Sequence, residues 1–218
     1  MKRISSISDW LFVFIIHLMG TGCAPLQTDL RDAEAYFSRG LAYYQRGQFD
    51  QASSDYSRAL QLNPKYAVAY NNRAAAYFAK GYYDQAISDF NKALEISPRD
   101  ADVYTSRGVA YRLKGQLDQA ISDYTRALEI NPRLALAYIN RGVAYRIKGE
   151  YDKAIADHNK ALEVNTRYAE AYADRAWAYY SKGDYDKAWD DVYKAQELGF
   201  KIDPGFLKDL REASGRRK

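Results

Sequence analysis

Apolar, small and charged residues recur along residues 33–202 with a period of 34. Five blocks, 33–66, 67–100, 101–134, 135–168 and 169–202, align without an insertion. Within a block, positions 4, 8 and 11 fall at helical spacing, and so do positions 20, 24 and 27. Tyrosine holds position 4 in all five blocks (Tyr36 to Tyr172) and position 11 likewise (Tyr43 to Tyr179). Position 8 is always Gly or Ala, and Ala fills positions 20 and 27. The pattern predicts an all-α chain with two amphipathic helices per block. Small residues let the helices approach closely, and tyrosines fill the remaining gaps.

The punctuation agrees with that division. Gly47, Gly81, Gly115, Gly149 and Gly183 fall between the two helices, where a helix end favours a left-handed residue. Asp50, Asp84, Asp118, Asp152 and Asp186 follow three residues later, in the first turn of the second helix, where the dipole favours negative charge. Pro64, Pro98 and Pro132 mark the end of the first three blocks, with Thr166 and Phe200 at that place in the last two. Proline there stops the second helix. One such unit cannot bury its own apolar face, whereas a stack of five can.

This period and these columns resemble the tetratricopeptide repeat. The resemblance spans residues 33–202 and implies a right-handed superhelix, an α-solenoid of five helix–turn–helix units. The segment "DPGFLKDLREASGRRK" follows. Asp203 suits an N-cap and Pro204 a first helical position. Phe206, Leu207, Leu210 and Ala213 mark one apolar face, so 203–214 reads as a capping helix and 215–218 as a basic, solvated tail.

The start of the chain is different. Lys2 and Arg3 precede a ten-residue apolar stretch, "WLFVFIIHLM". It is too short to span a bilayer, which takes about 20 residues, and has the size of a signal-peptide core. Gly20, Thr21 and Gly22 lead into Cys23, the one cysteine of the sequence. The arrangement resembles a bacterial lipoprotein signal, in which the cysteine is acylated and becomes the new N-terminus. Gly20 departs from the leucine usual there, and Asp9 is an unusual neighbour. Residues 1–22 are read as a leader, Cys23 as the lipidation site and 23–32 as a tether. The resemblance implies export and anchoring to the envelope, on the periplasmic side of the outer membrane, because Ala24 is not the aspartate that alters sorting. Cleavage without acylation, and an uncleaved apolar tail on a cytoplasmic protein, remain open from the residues.

Charge narrows the function. Thirty-two basic and 28 acidic residues are interspersed, so no basic face announces nucleic-acid binding. Arg39, Arg73, Arg107, Arg141 and Arg175 hold position 7, and Asp55, Asp89, Asp123, Asp157 and Asp191 hold position 23. Two ladders of equal count and period predict arginine–carboxylate pairs within each repeat, which the planar guanidinium suits. Outside the leader, His158 is the one histidine, at a packing position. No cysteine or second histidine accompanies it as a zinc ligand, and no phosphate loop is present. The chain reads as a non-enzyme that needs no cofactor or metal.

The resemblance also implies where a partner binds. In tetratricopeptide repeats the first helices line a concave face through positions 2, 5, 6, 9, 12 and 13. Here the expected lining is Phe37, Leu41, Tyr44, Asn71, Asn72, Phe78, Thr105, Val109, Arg112, Ile139, Asn140, Val143, Arg146, Asp174, Trp177 and Tyr180. A lining of aromatic and apolar side chains with a few amides suits a peptide. The two-carboxylate clamp of chaperone-tail binders is missing. Its positions carry Phe37, Leu41, Asn72, Asp102 and Ser106 counted from repeat one, or Thr105, Val109, Asn140, Glu170 and Asp174 counted from repeat three. The expected function is a scaffold holding a peptide or helix of an envelope protein, with self-association open to such a surface. A cytoplasmic adaptor and an accessory subunit of an envelope enzyme are the alternatives.

Overall fold

The computed structural model of the chain describes residues 27–216. Those residues form eleven helices. The first helices of the five repeats are α1 (Gln27–Gln45), α3 (Ala67–Ala79), α5 (Ala101–Leu113), α7 (Ala135–Ile147) and α9 (Ala169–Lys182). The second helices are α2 (Phe49–Leu62), α4 (Tyr83–Ile96), α6 (Leu117–Ile130), α8 (Tyr151–Val164) and α10 (Tyr185–Glu197), and α11 (Pro204–Ser214) follows. The leader and Cys23 lie outside the described residues.

Residues 27–32, expected within a tether, belong to α1. No glycine or proline interrupts the chain between Gln27 and Gly40, and fully buried Ala33 anchors this stretch. The interhelical glycines have φ between +73° and +86°. In the first turn Gly47 N–H donates to Tyr44 O and Gln48 N–H to Tyr43 O, both at 2.9 Å. This double closure needs the left-handed residue, which only glycine adopts without strain.

Proline alone does not end the second helices. The first four all stop at position 30, including α8, which Thr166 follows. Asn63, Asn131 and Asn165 supply a shared device: each side-chain oxygen accepts from the N–H two residues on, at 2.9–3.2 Å. An asparagine turn of this kind competes with further helix.

Consecutive first helices touch (α1 with α3, α5 with α7, α7 with α9), whereas second helices meet the first helix of the following repeat. The first helices therefore form the inner wall of the curve, and the chain is a right-handed superhelix of tetratricopeptide form. Beneath that wall, position 24 puts Tyr56, Phe90, Tyr124, His158 and Val192 into the core with 2% exposure or less. The small residue at position 8 follows from that ring. A Cβ on Gly40, Gly108 or Gly142 would come within 2.8, 2.6 or 2.8 Å of Tyr56, Tyr124 or His158. Ala74 shares a cluster with Phe90, and Ala176 with the smaller Val192.

The last helix closes the stack. Asp203 accepts from Phe206 N–H at 2.9 Å, and Phe206 and Leu210 are buried. Phe206 stacks on Trp177 with ring centroids 4.0 Å apart. Ala213, expected on the apolar face, is exposed instead; Ser214 beside it accepts from Trp189 Nε1.

Candidate partner-binding groove

The periodic charges are committed to the seams between helices. Each position-7 arginine grips the aspartate of its own repeat through two bonds of 2.6–2.8 Å. The aspartates are 5–6% exposed. From repeat two onward the arginine donates a third bond to position 25 of the preceding repeat: Ser57, Asn91, Thr125 or Asn159. The same guanidinium lies over both tyrosines of its repeat, at 5.4–5.9 Å. This accounts for the tyrosine columns, since each ring packs with its body and meets a cation with its face. Arg39, with no repeat before it, keeps 58% side-chain exposure against 17–20% for the other four. Burial holds the Asp191 carboxyl above its ordinary range, partly offset by Arg175.

A second seam runs over the exposed edge. Lys80, Lys114, Lys148 and Lys182 each reach the first-turn aspartate of the preceding repeat, and Arg216 continues the series to Asp186. These aspartates are 80% exposed or more, so each pair contributes little to stability. Neither the position-25 column nor this lysine ladder was part of the sequence reading, although both recur at the same period.

The inner wall carries the remaining chemistry. Tyr44, Phe78 and Val109 come together with Ala75, Ser106 and the buried Phe90 around a cavity of about 180 Å³. It has the size of one large side chain and an apolar lining. The sequence reading named the first three; Ala75 and Ser106 stand in the same columns (9 and 6), and Phe90 forms the floor from the helix behind. Leu41, Asn71 and Val143 are half-buried on the same helices. Asn72 and Asn140 each donate to their own helix, to Val68 O and Leu136 O at 2.8 and 2.9 Å. One amide donor of each is thereby engaged within its own helix.

Three expected lining residues face elsewhere. Ile139, 3% exposed, sits in a core cluster with Ala135, Ala161, Leu162 and Ala171. Thr105 is buried and donates to Ala101 O. Phe37 packs on Tyr56 and Tyr66 at 5.7 and 5.1 Å. All three occupy position 5, which lies about 100° around the helix from position 4 and about 60° from position 8, the two core positions beside it. At the far end Trp177 and Tyr180 line the wall but are backed by Phe206 of α11.

The second half of the wall is polar. Burial drives the Asp174 carboxyl up to about 6, opposed by Arg146 and Arg112 and reinforced by Glu170. Burial, with Arg175 and Arg146 nearby, pushes His158 down to about 3, so this histidine is neutral. Among the described residues no group of His, Cys, Asp and Glu is placed to hold a metal ion. No described helix is long and apolar enough to cross a membrane.

Models of the tetratricopeptide repeat match residues 65–133, 135–168 and 169–198, and a TPR repeat model matches 40–81. No curated protein matches the chain. Among solved structures, the MamA protein is 28% identical with a TM-score of 0.69, over 77% of this chain and 91% of that one. PilW, described as a type IV pilus biogenesis factor, aligns at 21% identity and a TM-score of 0.76, over 85% of this chain and 87% of its own. YrrB, described as a TPR protein with an unusual peptide-binding site, aligns at 22% and 0.67, over 94% and 97%. The last two likenesses concern the fold alone. Tetratricopeptide repeat proteins are in general non-catalytic scaffolds that bind protein or peptide partners. With its family models together spanning most of residues 40–198, the chain belongs to the tetratricopeptide repeat family.

Proposed function

We propose that this protein is a non-catalytic scaffold that holds an extended peptide of an envelope partner along its inner wall, tethered to the membrane by acylated Cys23. The observation that carries the reading is the open apolar cavity between Tyr44, Phe78 and Val109. Concave apolar surfaces of this kind mark binding sites. The seams, by contrast, satisfy their own charges and offer a partner little. The short apolar run ending at Gly20-Thr21-Gly22-Cys23 supports the anchor.

Two experiments test the two halves of this reading. Fractionation of host cells should place the wild-type chain in membranes and Cys23→Ser in the soluble fraction; identical distributions would remove the anchor. Crosslinking followed by affinity recovery should yield a partner from wild type and lose it in Phe78→Asp. Equal recovery from a folded Phe78→Asp chain would remove the groove.

A further inference from the structure

The six positions around the apolar cavity recur two repeats further along. Adding 68 to Tyr44, Ala75, Phe78, Phe90, Ser106 and Val109 gives Arg112, Val143, Arg146, His158, Asp174 and Trp177. The same six positions that make an apolar pocket in repeats one to three thus carry two arginines, a histidine and an aspartate in repeats three to five. The aromatic residues Phe78 and Phe90 are replaced by Arg146 and His158.

These groups are only partly used within the fold: Arg112 stands beside the Tyr124 hydroxyl, and Arg112 and Arg146 both act on the Asp174 carboxyl. Among the described residues neither Arg112 nor Arg146 takes part in an ion pair of 4 Å or less, unlike every arginine at position 7. The Nε atoms of Arg112 and Arg146 are buried without a hydrogen-bond partner, and so are both ring nitrogens of His158 and the Tyr124 hydroxyl. His158 and Tyr124 are fully buried beneath this stretch of wall. Buried polar groups left unpaired in a free protein are costly; among the described residues there are seven such atoms, of which five belong to Arg112, Tyr124, Arg146 and His158 and the other two are the Tyr56 hydroxyl and Gln116 Oε1. Arg146 also lies over the Trp177 ring at 5.6 Å, which fixes one side of its guanidinium.

We propose that Arg112 and Arg146 form a pocket for the carboxylate of an aspartate or glutamate side chain on the bound peptide, two repeats away from the pocket that takes an apolar side chain. This rests on the groove reading and adds a chemistry and a direction to it. The register argues for a side chain rather than a chain terminus, because the equivalent pocket upstream has the size of one side chain. The arrangement is separate from the chaperone-tail clamp, whose positions 2, 5, 6 and 9 lack the bases. The bases here stand at position 12.

Asp174 regulates the pocket. Arg146 and Arg112 act on its carboxyl, Glu170 one turn earlier on α9 opposes them, and Arg146 and Arg175 act on the neighbouring His158. Ionised, Asp174 competes with the incoming carboxylate. It takes up a proton as pH falls through about 6, where a ligand glutamate, with an ordinary value near 4.3, is still ionised. His158 stays neutral through that range. Acidic ligands should therefore bind more tightly at pH 5.5 than at pH 7.5.

The test is selection from a random library of N-acetylated, C-terminally amidated decapeptides on the purified chain. The proposal expects recovered peptides enriched about tenfold in both an acidic and a large apolar residue. Arg112→Gln/Arg146→Gln should lose the acidic enrichment and keep the apolar one, with an unchanged urea midpoint to show that it folds. Asp174→Asn should raise the acidic enrichment at pH 7.5 and abolish its pH dependence. Apolar enrichment without acidic enrichment would overturn the carboxylate pocket and leave the groove standing. Acidic enrichment confined to a parallel library with free C-termini would overturn the side-chain assignment. No enrichment of either kind would overturn the groove itself.

Discussion

Arg107 and Arg112 stand five residues apart on one helix, α5, and do opposite things. Arg107 faces the seam, grips Asp123 through two bonds, reaches Asn91 and lies over Tyr104 and Tyr111. Arg112 faces the inner wall, with its Nε buried and without a partner. The first is the same in every repeat; the second has Tyr44 and Phe78 as its counterparts in repeats one and two. The repeat keeps its seams constant because each seam residue is needed by several neighbours at once. It varies the wall because nothing within the chain requires a given side chain there.

The largest effect expected from breaking this contrast is at the seam. Arg107→Ala leaves Asp123, 6% exposed, as a buried charge with no partner and should cost about 3–5 kcal/mol in urea unfolding. Arg39→Ala, at the exposed first repeat, should lower the same midpoint by clearly less than Arg107→Ala. An equal loss would mean that the third bond and the preceding repeat add nothing. Gly108→Ala tests the fit beneath the wall. Its Cβ would stand 2.6 Å from the fully buried Tyr124 ring, so overpacking of about 1–3 kcal/mol should outweigh the roughly 1 kcal/mol that alanine adds to a helix.

Next comes pH. The folded-state value of His158 is depressed to about 3, against about 6.5 in an unfolded chain. The unfolded chain takes up the proton first, so stability is full above pH 6.5 and is lost as pH falls towards 3. Between pH 7.5 and 5.5 His158 should cost about 1 kcal/mol, opposed by Asp174, whose raised carboxyl gains stability as pH falls through about 6; the stability of wild type relative to His158→Tyr should therefore fall by about 1 kcal/mol across that range. The smallest effect is Arg112→Gln, which should change stability by no more than about 0.5 kcal/mol.

Much of this was legible in the sequence because it is periodic. The glycine turns and the arginine–aspartate ladders each follow from a residue type returning every 34 positions. The position-25 column and the lysine ladder carry the same signal, yet their partners lie in the neighbouring repeat, so alignment within one repeat does not reveal the pairing. Position 5 misled for a geometric reason: on a helix it lies about 60° from core position 8, close enough to the core face for Ile139 and Thr105 to be drawn inward. The arginine pocket was least legible. Arg112 and Arg146 were readable as lining, but their lack of partners depends on where the position-24 rings end beneath them.

The claim that binding chemistry and fold chemistry are separated on these helices has one direct measurement. It is the affinity of the chain for a selected acidic decapeptide, taken together with the urea midpoint, in wild type and in Arg112→Gln/Arg146→Gln. The account predicts an affinity at least about tenfold weaker with the midpoint unmoved. Unchanged affinity, or a midpoint that falls along with it, would contradict the account.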